Sequence, residues 1–563
     1  MRSQRKSKPS PLSLFADDGT LSDSASDSAS ILASFYQSVY NPDVPSPNLV
    51  PQPTSLPSLT FIDFPTTKIG SLLSKCDPGG SPGPDGVHPR ILKECASELS
   101  VPFSILFRTS FSSGILPSTW KQSIIHPIFK SGSRHKAENY RPISLTSIPC
   151  KIMEKIVHFS LHSHFSSHNL FHPSQHGFTP GRSCLSNLTT FYSKVSIARE
   201  DNKLVDAVFF DFTKAFDKLP HSPLITAMQN VGISGPLLHW LSSFISNRSS
   251  VVRVAGSLSA PFTVTSGVPQ GSVCGPDLFL IFINPLPSLL PCRSLLFADD
   301  LKIWAVDNPV SLQSSIDLCV SWSLANHLPI NPSKTLHISF YPHSSTTFTL
   351  PSTPSRTVIE SSNKFKDLGV WISSDLSPSL MCAESAKKAM RTVNFLFRSF
   401  KFLDKKSFIT LYSLYVRPLL EYCSIVWLPW LKKHETILEN VQRKATKLLP
   451  SIRTLSYPNR LSSLDLFPLH YRRLRGCFIY TFKLFKANAY SEFFTLSPAN
   501  GLRGHKLKLF QPRADSKYRR NSFAHVVIPF WNKLPATLIT APSIAVFKST
   551  LDEVLPGLLN YNH

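Results

Sequence analysis

Acidic residues are scarce in this chain. Its 563 residues carry 35 Asp and Glu against 59 Lys and Arg, a formal net charge of +24. So large a basic excess points to a polyanionic partner. Paired cysteines are missing too: the ten, at 76, 95, 150, 184, 274, 292, 319, 382, 423 and 477, are scattered with no Cys-x-x-Cys. That argues against a zinc knuckle and against a secreted disulfide framework, and makes a reduced intracellular compartment the expectation. Long apolar runs are also lacking. Stretches such as Leu278 to Ile283 are far too short to span a bilayer, so no membrane partner is expected. The basic start (Arg2, Arg5, Lys6, Lys8) is not followed by the apolar core of a signal peptide, which leaves solvated terminal charge or a nuclear signal. No internal repeat appears.

What is present supports more than one core. Hydrophobic residues make up 42% of the chain and Phe alone supplies 40 residues, which excludes disorder throughout. The length is three to four times a typical domain of ~150 residues, so several domains are expected. The 47 prolines, roughly 8% against a usual ~5%, are dense in the first 90 residues. Residues 1–60 read as linker-like, with one helical stretch near Ala29–Tyr40. Residues 61–375 alternate short apolar strands, Gly/Pro turns and amphipathic helices, the pattern of a mixed α/β domain. Beyond about 380 the spacing turns helical, over Glu384–Phe402, Lys405–Val426 and Ile437–Leu449. That divides the rest into a helical region, 376–450, and a basic, less periodic region, 451–563. From residue 381 onward 29 Lys and Arg face 10 Asp and Glu, so +19 of the +24 lies in the last third.

With acids so dispersed, two places stand out. Ala207 to Phe212 is a short apolar run that reads as a buried strand ending at Asp211, and it passes on to Lys214-Ala215-Phe216-Asp217. Leu295 to Trp304 reads as two strands flanking Asp299-Asp300, a hairpin with both carboxylates at its tip. Side by side in one sheet, these strands bring three carboxylates to one edge, where they repel each other and resist desolvation. Oxygen-only ligation favours Mg²⁺ over zinc, and two such ions about 4 Å apart activate an attacking hydroxyl and stabilise a leaving phosphate oxygen. Taken singly, a hairpin turn and a strand end explain the same residues.

Two further segments bear on that choice. Ser266 to Ser272 is a Gly/Pro loop whose glycines permit close backbone approach, with Gln270 offering a donor and an acceptor. A tight structural turn is its plain alternative. Ser123–Lys130 and Tyr140–Leu145 read as strands joined by a basic loop holding Lys130, Arg134, Lys136 and Arg141. That is either a solvated hairpin or a cationic clamp for a triphosphate.

The ordered set resembles the reverse transcriptase of non-LTR (LINE-type, jockey-like) retrotransposons. It consists of Lys130 with Asn139-Tyr140-Arg141-Pro142-Ile143-Ser144-Leu145, then Gln175-His176-Gly177-Phe178 with Gly181-Arg182-Ser183. Phe210 to Asp217, Ser266 to Ser272 and Phe297-Ala298-Asp299-Asp300 follow in the family's order. The match covers residues 60–375 well; Phe530-Trp531-Asn532-Lys533-Leu534-Pro535 also looks like the family's C-terminal region. The resemblance implies an α/β (α+β) right-hand polymerase of fingers, palm and thumb, with fingers and palm in 61–375, followed by the basic, mainly helical C-terminal region.

By that resemblance, Asp211, Asp299 and Asp300 are the palm carboxylates for two Mg²⁺ ions, which Mn²⁺ can replace. Phe216 is implied as a steric gate favouring dNTPs, with core packing as its rival role. Lys130 and Arg141 grip the triphosphate, Gln270 lies at the templating base pair, and Lys334 is the general acid to departing pyrophosphate. Leu368-Gly369-Val370 looks like the hairpin that positions the primer end. Lys387, Lys388, Arg391 and Arg398 with Arg472, Arg473 and Arg475 are expected along the template–primer, read through its phosphates.

The implied activity is RNA-directed DNA polymerase, extending a DNA primer on an RNA template in the nucleus or cytoplasm. A polymerase-derived RNA-binding protein without catalysis is the alternative. Only about 60 residues precede the resemblance, so no endonuclease domain is expected here; a separate endonuclease or an element-encoded RNA-binding protein is then a partner. One departure is Lys130-Ser131-Gly132-Ser133, where family members often carry an acid after the Gly. It leaves the conformation of that loop open.

Overall fold

In the computed structural model, which describes residues 12–16, 18–42, 56–341, 346–351, 355–400, 402–498 and 505–558, two five-stranded sheets are enclosed by helices. The basic start at Arg2, Arg5, Lys6 and Lys8 lies outside the described residues. Helix α1 (Ala25–Val39) begins at a capping box, the Ser24 hydroxyl accepting from the Asp27 amide and the Asp27 carboxylate from the Ser24 amide. Its Ala29, Leu32, Ala33 and Tyr36, at helical spacing, pack on Ile125, Tyr140, Val252 and Phe262 of the first sheet. Thus part of the segment whose composition reads as linker is a packed element, its Ser and Asp serving as cap and solvent face.

The chain then builds the two sheets in alternation. Strands β1 (Gln122–Phe129) and β2 (Tyr140–Leu145) form an antiparallel pair. Helices α2 (Ile148–Ser167) and α3 (Cys184–Glu200) lead to β3 (Val205–Phe210), the middle strand of the second sheet. The chain returns to the first sheet for β4 (Arg248–Val254), parallel to β1, with β5 (Ser257–Leu258) and β6 (Phe262–Val264) beside it. Helix α4 (Gly275–Ile283) precedes the hairpin of β7 (Arg293–Phe297) and β8 (Asp300–Val306), and β8 pairs with β3. Past α5 (Pro309–Ala325), β9 (Leu336–Ser339) lines the other edge of β3. A small hairpin, β10 (Thr349–Pro351) with β11 (Arg356–Val358), comes before β12 (Glu360–Ser361). The second sheet therefore runs β12-β9-β3-β8-β7.

Strand β3 is buried on both faces, and its period of two sorts its side chains between two cores. Val208 and Phe210 join a core with Leu296, Leu301, Ile303 and Phe279, whereas Val205, Ala207 and Phe209 join one with Phe191, Leu295 and Trp304. That is why the run reads as continuously apolar rather than alternating. The second core continues into the helical region through α6 (Ser379–Ser399) and α7 (Lys432–Lys447). Between them the stretch expected as one helix is three pieces, Lys405–Leu411, a π turn at Tyr412–Val416, and Arg417–Glu421. Pro418 has no amide for an i→i−4 bond, and the wider turn absorbs the break.

The tail is more ordered than its weak periodicity suggests. Helices α8 (Leu469–Lys486) and α9 (Ile544–Leu558) enclose a third core of Tyr471, Phe478, Phe482, Trp531 and Phe547. Its adhesion is aromatic, with the Phe482 and Phe547 rings stacked 4.1 Å apart, so a scan for repeating aliphatics underrates it. Among the described residues no helix is long and apolar enough to cross a membrane.

Candidate active site

A cavity of about 550 Å³ opens where the two sheets meet. Seven of the residues singled out from sequence line it: Lys130, Arg141, Asp211, Phe216, Gln270, Asp299 and Lys334. Each arrives from a different element. Asp211 follows the last residue of β3, and its carbonyl accepts from the Asn331 amide at 2.7 Å while the Thr213 amide donates to Pro329 at 2.8 Å. This extra pairing beyond the strand end carries the Pro332–Lys334 turn across to Asp211. The Lys334 ammonium there donates to Asp211 Oδ2 at 3.2 Å, in a half-exposed pair.

The acidic hairpin differs by one residue from the sequence expectation. Phe297 pairs with Asp300, so the two-residue tip is Ala298-Asp299 and Asp300 is the first residue of β8. Ala298 takes φ 57°, a conformation that costs a residue with a side chain. Gln175 compensates: its Oε1 accepts from the Ala298 amide at 3.0 Å and from Gly177 at 2.8 Å. Gly177 passes so close that a Cβ there would lie 2.3 Å from the Ala298 nitrogen. The His176 amide donates to the Leu296 carbonyl, which also accepts from Asn187 Nδ2 at 3.0 Å. The Gln-His-Gly segment is therefore the brace of the acidic turn, a role the residue types alone do not disclose.

The offset separates the two neighbouring carboxylates. Asp299 faces the cavity with Asp211, whereas Asp300 faces an adjoining depression with Lys302, Phe365 and Asp367. Burial raises the Asp299 carboxyl and Asp211 raises it further, against Lys130 and Arg141, which lower it. Asp300 is pushed up to about 7, by desolvation first and then by Asp299, Asp367 and Asp211. The cations nearby, Lys130 and Arg141 for Asp299 and Lys302 for Asp300, offset only part of this rise, so the site would accept more positive charge. The described residues lining the cavity include no His or Cys, so an ion that supplied it would meet oxygen donors, which suits a hard divalent cation.

The Gly/Pro loop is stitched to its surroundings. The Ser144 amide of β2 donates to the Gln270 carbonyl at 2.8 Å, and the Val268 amide to Phe216 at 2.9 Å. Gln270 Nε2 donates to Asp217 Oδ1 at 2.8 Å. Burial pushes that carboxyl up to about 6, eased by Gln270 and Lys214. Phe216 stacks on Phe279, ring centroids 4.5 Å apart, and meets Phe178 edge-on at 6.4 Å. It thus lines the cavity while packing on the core, both roles weighed from sequence. Lys214, at φ 49°, sets its ammonium 3.8 Å from the Phe35 ring centre of α1, and burial brings it down to about 8. Tyr36 and Tyr40 also reach the cavity, contributions no local signal announces because they come from α1 and the residue that follows it.

The basic loop after β1 closes without an acid next to its glycine. The Lys130 amide donates to the Asn139 carbonyl and Asn139 Nδ2 to the Ser133 carbonyl, both at 2.8 Å. Gly132, at φ 88°, passes over the Asn139 side chain, so Asn139 sets the turn. Lys130 and Arg141 are left exposed at the cavity mouth.

Of the residues expected along a nucleic acid, Lys387, Lys388, Arg391 and Arg398 are exposed on α6. Of the three arginines of α8, two are ion-paired to carboxylates and the third is buried. Arg472 is ion-paired to Glu421 and Arg475 to Asp552. Arg473 is 4% exposed, and burial lowers its guanidinium below the ordinary arginine value, opposed only in part by Glu439 and Glu435. The turn of Leu368 and Gly369 joins β13 (Lys364–Asp367) to β14 (Val370–Ser373) as an antiparallel hairpin, with φ 44° and 86° as a tight two-residue turn needs. This hairpin is tied to the acidic one by Lys302 of β8, whose buried ammonium is bonded to Asp367.

Residues 128–372 match the model of the family described as reverse transcriptase (RNA-dependent DNA polymerase). Similar proteins from Drosophila melanogaster include a probable RNA-directed DNA polymerase from transposon BS, 28% identical over 53% of this chain and 34% of its own length. The corresponding protein from transposon X-element is 24% identical over 69% of this chain and 44% of its own length. The RNA-directed DNA polymerase from mobile element jockey is 25% identical over 48% of this chain and 31% of its own length. The matched regions thus span less than half the length of each of these relatives.

Proposed function

We propose that this chain, whose residues 128–372 are a reverse transcriptase domain, is an RNA-directed DNA polymerase of a non-LTR retrotransposon that extends a DNA primer 3′-hydroxyl with dNTPs on an RNA template. The observation that carries the reading is the convergence of Asp211, just past the end of β3, and Asp299, in the turn between β7 and β8, on one cavity that also receives Lys130 and Arg141. Two Mg²⁺ ions, with Mn²⁺ able to replace them, would be held by Asp211 and Asp299 in the cavity, with Asp300 joining them only by turning from the adjoining depression, and when bound would supply Lewis acidity to the primer hydroxyl and to the phosphates.

The chain's own residues do the rest by position and charge. Lys130 and Arg141 bind the triphosphate from the mouth of the cavity. Phe216, backed by Phe279, narrows the space beside the sugar and so disfavours a 2′-hydroxyl. Gln270 holds the loop under the base pair through Asp217. Lys334, once it leaves Asp211, delivers a proton to the departing pyrophosphate oxygen. The hairpin after Asp367 supports the primer end, and Lys387, Lys388, Arg391 and Arg398 of α6 meet backbone phosphates. A separate endonuclease and an element-encoded RNA-binding protein are the proposed partners, since the reaction needs a free 3′-hydroxyl and a delivered template.

Primer extension on a defined RNA template, with dNTPs and Mg²⁺, tests the reading. Templated extension with dNTPs, and much less with ribonucleotides, is the expected result. A folded chain that binds the template–primer but never extends it would instead be a polymerase-derived RNA-binding protein. Phe216→Val is expected to raise ribonucleotide use relative to dNTP use, which kcat/KM for each pair measures.

A further inference from the structure

Helix α2 turns three polar side chains, spaced four residues apart, toward the start of α4. Glu154 Oε2 accepts from the Val273 and Cys274 amides at 2.7 and 3.0 Å, capping the approach to α4. One turn on, His158 Nδ1 lies 2.7 Å from Asp277 Oδ2, and a turn further His162 Nε2 lies 2.8 Å from Asp277 Oδ1. One atom from each of His158, His162 and Asp277 falls within a 4.8 Å cluster. The Asp277 side chain is 2% exposed, while those of His158 and His162 are 30% and 17% exposed. The imidazole rings lie 4.2 Å apart, and Phe171 supports that of His162 at 5.3 Å.

This arrangement has the chemistry of a metal centre. Left to hydrogen bonds, each ring must turn an N–H toward a buried carboxylate. A divalent ion replaces both protons and cancels the buried charge. Two imidazoles four residues apart on a helix, with a carboxylate from a second element, are three protein ligands of the kind zinc takes, with a fourth position open on the exposed side. Bonds of about 2.0–2.2 Å place tetrahedral ligands roughly 3.3 Å apart, so the carboxylate, which now meets one ring with each oxygen, has to retreat by about half an ångström and the ligand atoms, now within 4.8 Å of one another, have to draw together around the ion. The geometry points to a binding site for a zinc-class divalent ion at His158, His162 and Asp277, clamping α2 to α4. It is distinct from the all-oxygen cavity and independent of the polymerase reading. Gly275 and Pro276, just before Asp277, line that cavity, so the clamp would stand behind its wall.

The test uses the full chain, stripped with a chelator and returned to excess Mg²⁺ so that the oxygen site does not compete. Titration with Co²⁺ and then Zn²⁺ is expected to give one tightly bound ion per chain, with a nitrogen–oxygen Co²⁺ spectrum. Zn²⁺ is expected to raise the thermal midpoint. His158→Gln and His162→Gln should each weaken binding by more than the roughly 10–100-fold that removing a group behind a ligand costs, with circular dichroism confirming the fold. If His162→Gln does not fold, the more exposed His158→Gln decides. Three results would overturn the site: no stoichiometric binding by the folded wild type, affinity unchanged in a folded variant, or a thiolate-to-cobalt charge-transfer band that reports cysteine instead.

Discussion

Asp217 is 8% exposed, and burial pushes its carboxyl up to about 6. An ordinary unfolded Asp releases its proton near 3.8, so between these values the native state binds more protons than the unfolded chain. Stability therefore falls as pH rises through that window, and the deficit is complete above about 6. Asp217→Asn removes the titration and keeps an acceptor for Gln270. The variant is expected to be more stable than wild type at pH 8, by on the order of 2–3 kcal/mol. The difference should vanish below about pH 4, as urea midpoints at the two pH values will show. The carboxylates were legible as single residues in the sequence because acids are otherwise sparse. The one-residue offset at Ala298-Asp299 was not, because the groups that fix it, Gln175 and Gly177, come from a distant segment.

Among the elements, the Gly/Pro loop and the paired hairpins carry the most consequence. A Cβ on Gly267 would lie 2.5 Å from the Asp217 carbonyl oxygen and 2.6 Å from that of Phe216, and the residue sits at φ 81°. Gly256, at φ 98°, has nothing within 4 Å. Both Gly→Ala changes carry backbone strain of roughly 1–2 kcal/mol, but only Gly267→Ala must also push the loop off Phe216. Gly267→Ala is thus expected to lose extension activity while Gly256→Ala keeps it, with thermal midpoints separating strain from displacement. In the hairpin pair, Lys302 and Asp367 are 3% and 6% exposed. Lys302→Met alone leaves a buried carboxylate without its partner and is expected to cost about 3–5 kcal/mol, whereas Lys302→Met with Asp367→Leu should recover most of it. Urea unfolding of the three proteins is the check. The acidic hairpin was visible as apolar strands around a short turn and the second only through the resemblance carried by Leu368-Gly369-Val370, whose strand Lys364–Asp367 is mostly charged; the bond between them joins strands far apart in the chain and leaves no local trace.

At the scale of the whole molecule, the basic tail is both structure and charge. Leu461, Leu464, Leu466 and Leu469 belong to the second core, and Glu200 of α3 accepts from the Asp515 and Ser516 amides. Removing residues 451–563 therefore opens that core as well as removing charge. Changing Lys387, Lys388, Arg391 and Arg398 to Gln touches only exposed positions. It is expected to reduce the slope of log affinity against log salt by roughly 0.7–0.9 for each phosphate no longer neutralised. An unchanged slope would show that α6 does not meet the nucleic acid. The change from α/β to helical structure was legible from apolar spacing. The ion pairs of Arg472 and Arg475 and the burial of Arg473 were not, since composition cannot tell a paired or buried arginine from a free one. The central claim is that Asp299 serves chemistry rather than folding or binding. It is tested most directly by measuring, in the same preparation, template–primer affinity and single-turnover extension for wild type and Asp299→Asn. The account expects affinity within a few-fold and extension reduced by at least the roughly 10²–10³-fold that a missing electrostatic partner costs. Extension near the wild-type rate by a folded Asp299→Asn protein would contradict it.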